Sequence, residues 1–327
     1  LAAPPAAQPG TRAPLAIADP PGAHRTTGAL QRQQAATITQ PPAASIALTK
    51  TVGIDPRACA ADDTVVVLPG TPVFYCYTVR NTGAITLTNH DLFDSELGEV
   101  AFDLAYPLAP GASTFITAPA TIETTVTNLA VWMARGAGLA APVMASDTAA
   151  VRVAALEATK TVGTDRAVCA DSDDLTVTAG SEVVYCYEVH NTGSVDLPVH
   201  DVVDSALGPI LTSYPYTLTP GASAFITIAT TLDAAVTNVV TWTARIPSLG
   251  LVVEDSDSAT VQVASMAVAK TVGVNPQVCA SGDAITVAAG TRISYCYQIT
   301  NTGSVALPVH SVKDDQLGVV AANLSYP

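Results

Sequence analysis

Apolar and polar residues alternate one by one through several short stretches of this chain. From Val183 to His190, the side chains of Val183, Tyr185, Tyr187 and Val189 alternate with Val184, Cys186, Glu188 and His190. A period of two places successive side chains on opposite faces of a strand. The run stops at Asn191-Thr192-Gly193, which reads as a tight turn because Asn and Gly tolerate positive φ. Leu197 to Val203 predicts the next strand. Leu218-Thr219-Pro220-Gly221 predicts a turn in which Pro presets one φ and Gly supplies a positive one. Phe225 to Thr231 follows as a strand. Val236, Asn238, Val240, Trp242 and Ala244 then alternate with Thr237, Val239, Thr241 and Thr243. One face is mainly apolar and the other mainly Thr, as in a sheet with one face solvated. Ala259, Val261 and Val263 close the pattern. No stretch of useful length has a helical period. About seven short strands with turns every ~8–12 residues predict an all-β fold, a two-sheet immunoglobulin-like sandwich.

The pattern recurs. Lys50, Lys160 and Lys270 each open Lys-Thr-Val-Gly, at a spacing of 110 residues. Cys59, Cys169 and Cys279 keep that spacing. So do Cys76, Cys186 and Cys296 within Tyr-Cys-Tyr, and Asn81, Asn191 and Asn301 within Asn-Thr-Gly. His90, His200 and His310 follow, then Asp94, Asp204 and Asp314. Self-similarity at a fixed period is the mark of tandem architecture. Residues 45–154, 155–264 and 265–327 are therefore predicted as three immunoglobulin-like sandwiches. The third copy is incomplete, since it stops about half a domain short of the others. Residues 1–44 are rich in Pro, Ala and Gln and predict an extended tail or linker. Thr260-Val261-Gln262-Val263 reaches Lys270 through six residues with neither Gly nor Pro. That junction predicts stiff coupling and an elongated array.

Composition agrees with strands. Hydrophobic residues make up 49% and charged residues 13%, with Val and Thr, whose branched Cβ suits a pleated surface. The formal net charge is −14. Nucleic-acid binding needs a basic face, so that class is set aside, and anionic membrane surfaces are disfavoured for the same reason. No apolar run reaches the ~18–20 residues of a membrane span. The chain opens on Leu1 without a basic segment followed by an apolar one. This fits either removal of a signal peptide or a piece of a longer protein.

The order of motifs resembles a known family. Lys-Thr-Val is followed by Pro-Gly or Ala-Gly before a Tyr-rich strand. Next come Asn-Thr-Gly, an Asp-bearing strand, Leu-x-Pro-Gly-Ala, and Thr-Asn before Trp. Residues 45–327 resemble the prokaryotic surface "conserved repeat domain" of unknown function. The resemblance implies an immunoglobulin-like fold in long cell-wall or secreted proteins: stalks, adhesins and surface layers. The Cys pair of each repeat departs from many members of that family. It also differs from the antibody pair, which joins distant strands.

Even number, fixed spacing and secreted-type composition predict disulfides Cys59–Cys76, Cys169–Cys186 and Cys279–Cys296. Each would stabilise by roughly 3 kcal/mol in the chain-entropy model. The rivals are reduced buried thiols and a metal. The metal reading lacks Cys-x-x-Cys and a nearby His at ligand spacing.

Three features could carry chemistry. An intramolecular isopeptide bond needs a buried Lys, an Asn acceptor on a late strand and a proton-shuttling carboxyl. Lys50, Asp94 and Asn128 match that order, as do Lys160, Asp204 and Asn238. Three of the chain's four lysines occupy this position. The plainer expectation is a surface Lys on the first strand and an Asn that satisfies a turn. Asp171, Asp173 and Asp174, and Glu254, Asp255 and Asp257, form acidic clusters that calcium could use. Repeat one offers only Asp62 and Asp63 and the EF-hand spacing is absent, so solvated acidic loops are expected and no metal. His90, His200 and His310 are expected to be strand residues rather than catalytic ones. No nucleophile elbow, phosphate loop or zinc-helix motif appears.

These readings predict a protein without catalytic activity or cofactor, extracellular or on the cell surface, serving as a stalk, adhesin shaft or surface-layer component. Its partner would be an unidentified surface ligand or other copies of itself. One alternative is a filament subunit. Its tail strand, Ala35 to Thr39, would complete the open third repeat of the next chain by strand addition. Another is a glycan- or protein-binding module using loops at the sandwich ends.

Overall fold

The computed structural model describes residues 43–326. The tail to residue 42, including Ala35 to Thr39, lies outside the described residues. Among the described residues all twenty regular elements are strands. In repeat one they are β1 (Ile46–Gly53), β2 (Thr64–Val67), β3 (Thr71–Asn81), β4 (Leu87–Asp94), β5 (Gly98–Leu108), β6 (Ser113–Ile122), β7 (Val126–Arg135) and β8 (Val143–Val153). Repeat two follows with β9 (Glu157–Gly163), β10 (Asp174–Thr178), β11 (Ser181–His190), β12 (Leu197–Asp204), β13 (Gly208–Leu218), β14 (Ser223–Leu232), β15 (Val236–Ile246) and β16 (Leu251–Ala264).

Each of these two repeats has a three-stranded and a five-stranded sheet. The orders are β1-β3-β6 with β2-β8-β7-β4-β5, and β9-β11-β14 with β10-β16-β15-β12-β13. Pairing is antiparallel except for β2 on β8 and β10 on β16. Two sheets with this mixture of local and crossing connections form the tandem β-sandwiches that the alternation predicts. Inward side chains fill the space between them. In repeat two these include Val183, Tyr185, Tyr187, Val189, Leu197, Val240, Trp242 and Val261, all buried.

Each complete repeat has eight strands rather than seven. Two of them are not marked by clean alternation: β10, a short strand paired in parallel at an edge, and β13, whose alternation is broken. Register shifts interrupt the β12–β13 ladder, and Ser213 takes a positive φ of 49°. Asp103 and Asn323 repeat that conformation at φ 46° and 53°. A side chain steadies each bulge: Asp91 Oδ1 accepts from Asp103 N, Asp201 Oδ1 from Ser213 N, and Ser311 Oγ from Asn323 N.

The third repeat contains β17 (Met266–Gly273), β18 (Ser294–Asn301), β19 (Val309–Asp314) and β20 (Gly318–Ser325), in two two-stranded sheets. Residues 284–287, matching β2 and β10, are not a strand there. Their parallel neighbour would belong to a last strand that this repeat lacks. The inward faces of β17, β18 and β19 line a cleft of about 530 Å³.

The Asn-Thr-Gly segments correct one expectation. Gly83, Gly193 and Gly303 are not in the positive-φ region. Their need is space: a Cβ on Gly193 would lie 2.6 Å from Val153 O and Ala155 N, and one on Gly303 only 2.3 Å from Val263 O. The Gly admits the backbone that enters from the preceding repeat. Gly111 and Gly221, after Pro110 and Pro220, do take positive φ, as the Pro-Gly reading requires.

Candidate functional site

The inward positions of three strands meet at one point in each complete repeat. On β9, Ala158, Lys160 and Val162 alternate inward, so the fold carries Lys160 into the core with its apolar neighbours. Lys50 on β1 is placed likewise. Both lysines and their partners Asp94 and Asp204 have fully buried side chains. Lys50 Nζ lies 3.0 Å from Asp94 Oδ2 and 2.8 Å from the main-chain oxygen of Asn128. Lys160 Nζ lies 2.5 Å from Asp204 Oδ2. The expectation of a surface lysine is overturned: the position that looks polar in sequence faces the interior.

The carboxylates are well supplied with donors. Tyr77 Oη donates to Asp94 Oδ2 at 2.5 Å, and Tyr187 Oη to Asp204 Oδ2 at 2.7 Å. The other oxygen, Oδ1, accepts from the amides of Glu96 and Leu97, or of Ala206 and Leu207. Tyr rings wall the ammonium, with Nζ of both lysines 4.6 Å from the centroid of Tyr75 or Tyr185. Such faces attract a cation when it is desolvated.

Electrostatics follow from this enclosure. Burial pulls Lys50 and Lys160 below the usual lysine value, against the opposing pull of Asp94 and Asp204. Burial alone would raise the two carboxyls. Donation from Tyr77 and Lys50, or Lys160 and Tyr187, with the loop amides, holds them below the usual carboxylate value. Tyr77 and Tyr187 are pushed well above the ordinary phenol value by burial and by the adjoining carboxylate.

Asn128 and Asn238 are the third members. Both are fully buried on β7 and β15, so the alternative in which Asn serves a turn is also overturned. Ser95 Oγ donates to Asn128 Oδ1 at 3.2 Å, and Ser205 Oγ to Asn238 Oδ1 at 3.0 Å. The amide nitrogens Nδ2 face the hydroxyls of Tyr75 and Tyr185, and neither the nitrogens nor the hydroxyls make a hydrogen bond of good geometry. Buried polar atoms without partners are uncommon and costly, yet the same pair recurs in both repeats. The sequence marks these helpers only by recurrence: Ser95 and Ser205 share the 110-residue spacing, as do the tyrosines. In the third repeat Lys270 Nζ and Tyr297 Oη each lie 2.5 Å from Asp314 Oδ2, with the lysine side chain partly exposed.

The cysteines pair as expected. Cys59–Cys76, Cys169–Cys186 and Cys279–Cys296 have Cα separations of 5.4, 5.3 and 5.4 Å. Each bond ties the loop after the repeat's first strand to the outward face of the Tyr-Cys-Tyr strand. Val184 and Cys186 are therefore buried although they face away from the core. Three disulfides fit an extracellular or otherwise oxidising environment.

The acidic clusters differ: Asp171 and Asp173 sit in an exposed loop as expected, whereas Glu254, Asp255 and Asp257 lie on β16 and are engaged in hydrogen bonds. Asp255 Oδ2 accepts from Ala158 N and Asp257 Oδ2 from Lys160 N, while Glu254 accepts from Thr243. Asp174 takes its place in β10. Among the described residues no group of three or more His, Cys, Asp and Glu side chains is arranged to hold a metal. His90 and His200 are buried strand residues whose Nδ1 accepts from Trp132 Nε1 and Trp242 Nε1.

An aromatic groove was not foreseen. His200, Tyr214, Tyr216, Phe225 and Trp242 line a cavity of about 390 Å³ between β13 and β14. These residues are scattered over some forty positions of sequence, and only the fold gathers them.

No family model matches the chain, and no curated protein matches it. Among solved structures, red sea bream transglutaminase aligns at 9% identity and a TM-score of 0.26, over 65% of this chain and 31% of that one. This chain thus spans under a third of that enzyme's length. A protein of unknown function from Porphyromonas gingivalis W83 aligns at 13% identity and a TM-score of 0.24, over 65% of this chain and 98% of that one. At these TM-scores neither likeness carries an argument about this chain.

Proposed function

We propose that this chain is the shaft of a secreted or cell-surface protein, a stalk, adhesin shaft or surface-layer component without catalytic activity. The observation that carries the reading is the junction between repeats. Strand β8 leads to β9 through three residues, and β16 to β17 through one. At the first junction Gly193 N donates to Ala155 O and Ser194 N to Val153 O. At the second, Gly303 N donates to Ser265 O and Ser304 N to Val263 O. A junction made by main-chain bonds, reproduced in register, suits a part whose work is to hold a fixed spacing. The order of surface-repeat motifs and the disulfide in every repeat support the same reading. Small-angle scattering from the whole chain tests it. An extended profile with the cross-section of a single sandwich is expected. A globular profile would overturn the shaft, and failure of specific antibodies to label intact source cells or their medium would overturn the location.

The aromatic groove favours a second reading, a module that binds glycans through ring faces. Tyr214, Tyr216 and Phe225 are about half exposed there. Binding to a glycan array that is lost in Tyr216→Ala would favour this reading over a purely mechanical one.

A further inference from the structure

The Lys-Asp-Asn arrangement does more than a buried ion pair requires. A stable ion pair needs its two charges and their hydrogen bonds satisfied. It has no use for a third buried amide whose nitrogen is left without a well-formed hydrogen bond. Yet each complete repeat carries one: Asn128, in contact with Lys50, and Asn238, which shares the Tyr185 side chain with Lys160. Lys50 Nζ reaches the main-chain oxygen of Asn128, 2.8 Å away. The carboxylate that touches the amine, Asp94 or Asp204, is buried with it. A hydroxyl donor, Ser95 or Ser205, sits on the amide oxygen Oδ1, where negative charge would develop during attack on Cγ. Nucleophile, proton carrier, oxyanion donor and electrophile are thus gathered in a site walled by tyrosine rings, the same set at the same spacing in two repeats.

We propose that Lys50 and Asn128, and Lys160 and Asn238, join spontaneously in the folded protein by intramolecular isopeptide bonds, with Asp94 and Asp204 carrying the protons. The reaction balances without any added reagent. Asp94 takes one proton from the Lys50 ammonium, leaving a neutral amine and a carboxylic acid. The Nζ lone pair attacks Cγ of Asn128, forming the Nζ–Cγ bond and moving the carbonyl electron pair onto Oδ1, beside the Ser95 hydroxyl. Asp94 hands its proton to Nδ2 and takes the second proton from Nζ. The Cγ–Nδ2 bond breaks, the carbonyl reforms and neutral ammonia leaves. The products are a secondary amide, ammonia and a protonated Asp94, which sums to the atoms and zero net charge of the start. Holding the reacting groups together supplies the entropy that a bimolecular aminolysis lacks, and burial of the lysine favours its nucleophilic form.

The bond would join β1 to β7, and β9 to β15, strands that belong to different sheets. It would lock the two halves of each sandwich covalently. The inference stands apart from the shaft reading: a cross-linked sandwich could serve any function, and an uncrosslinked one could still be a shaft.

Intact mass of the whole purified chain, reduced and denatured, tests it. The expected mass is that of the sequence less two ammonias. Tandem mass spectrometry of a digest should find Lys50 linked to Asn128 and Lys160 linked to Asn238. Asp94→Asn should restore one ammonia and remove the first linked peptide, leaving the second as an internal control of folding. A deficit of one ammonia mapped to a single repeat would uphold the reaction there and overturn it in the other. A wild-type mass equal to that of the plain sequence overturns the proposal. So does a deficit that maps to any other residues.

Discussion

The indole Nε1 of Trp242 donates to Nδ1 of His200 at 3.0 Å, in a contact closed off from solvent. Trp132 and His90 repeat it at 3.1 Å. The accepting Nδ1 carries no proton, so Nε2 does, and it donates to a main-chain oxygen of Leu197 or Tyr106. Protonation of Nδ1 would set two donors against each other. The ring is therefore held neutral as a structural acceptor.

This arrangement gives a pH dependence with a definite sign. Burial lowers the folded-state pKa of both histidines below 6.5, despite the adjacent carboxylates Asp91 and Asp201. The unfolded state then binds more protons than the folded state below about pH 6.5. The contribution of these groups is full above that pH and is lost as pH falls toward the folded pKa. Trp132 and Trp242 are the only tryptophans, so indole fluorescence reports these two sites alone. A change in emission below pH 6.5 is expected in the native protein, and its disappearance in the doubly substituted His90→Phe, His200→Phe protein. Persistence of the change in that variant would place its origin elsewhere.

The disulfides give a second expectation. Each closes a loop with a sequence separation of 17, worth about 3 kcal/mol by the entropy of the unfolded chain. Cys169→Ala combined with Cys186→Ala should lower the stability of repeat two by that amount in denaturant titrations. The far-ultraviolet spectrum should stay that of a sheet, because the bond lies outside the sandwich core. Loss of the strand signal at neutral pH would show that the pair is needed to form the fold rather than to secure it.

A third expectation concerns the bulge in β13. Asp201 Oδ1 accepts the amide of Ser213, at 2.7 Å, and its Oδ2 pairs with Arg245. Ser213 sits at φ 49°, a conformation that costs a non-glycine residue about 1–2 kcal/mol. Removing the acceptor in Asp201→Ala should destabilise by about 1–2 kcal/mol, since a hydrogen bond to a charged group is lost and the amide is left with water. Adding Ser213→Gly to that variant should recover part of the loss by relieving the backbone. No recovery would mean that the carboxylate acts through Arg245 alone.

The sequence carried the sandwich in its alternation and the repeats in their 110-residue register, because both are local or periodic signals. It carried less of what depends on a distant neighbour. β10 is a strand only because β16 lies beside it in parallel. β13 has Pro209, Pro215 and a bulge where a clean alternation would be. Lys160 was ambiguous. Its place between Ala158 and Val162 on one face of β9 signals the interior, whereas its charge signals the surface. The fold resolves the conflict by supplying Asp204 and Tyr187 from two other strands. Asn191-Thr192-Gly193 looks like a turn in the sequence, but the reason for its glycine lies some forty residues upstream, in the backbone of the preceding repeat.

That glycine offers the sharpest test of coupling between repeats. In Gly193→Ala the new methyl would meet Val153 O and Ala155 N, both backbone atoms, at 2.6 Å. Neither can swing aside like a side chain, so the junction itself must open. Opening it would break the bonds from Gly193 N to Ala155 O and Ser194 N to Val153 O. It would also disturb Thr125, whose hydroxyl links Val153 N to Ser194 Oγ. Val153 and Ala154 belong to the cores of repeats one and two, so both cores are disturbed at the junction, while the strands remote from it should survive. In a nearest-neighbour array, stability is the sum of repeat and interface contributions. The variant should therefore lose about 1–3 kcal/mol of interface stability and unfold its first two repeats in separate steps, where the native chain unfolds them together. Ser194→Ala, which removes only the side-chain contacts, should show a smaller effect in the same direction. A single unfolding transition in Gly193→Ala at the native midpoint would mean that the repeats are coupled by something other than this junction.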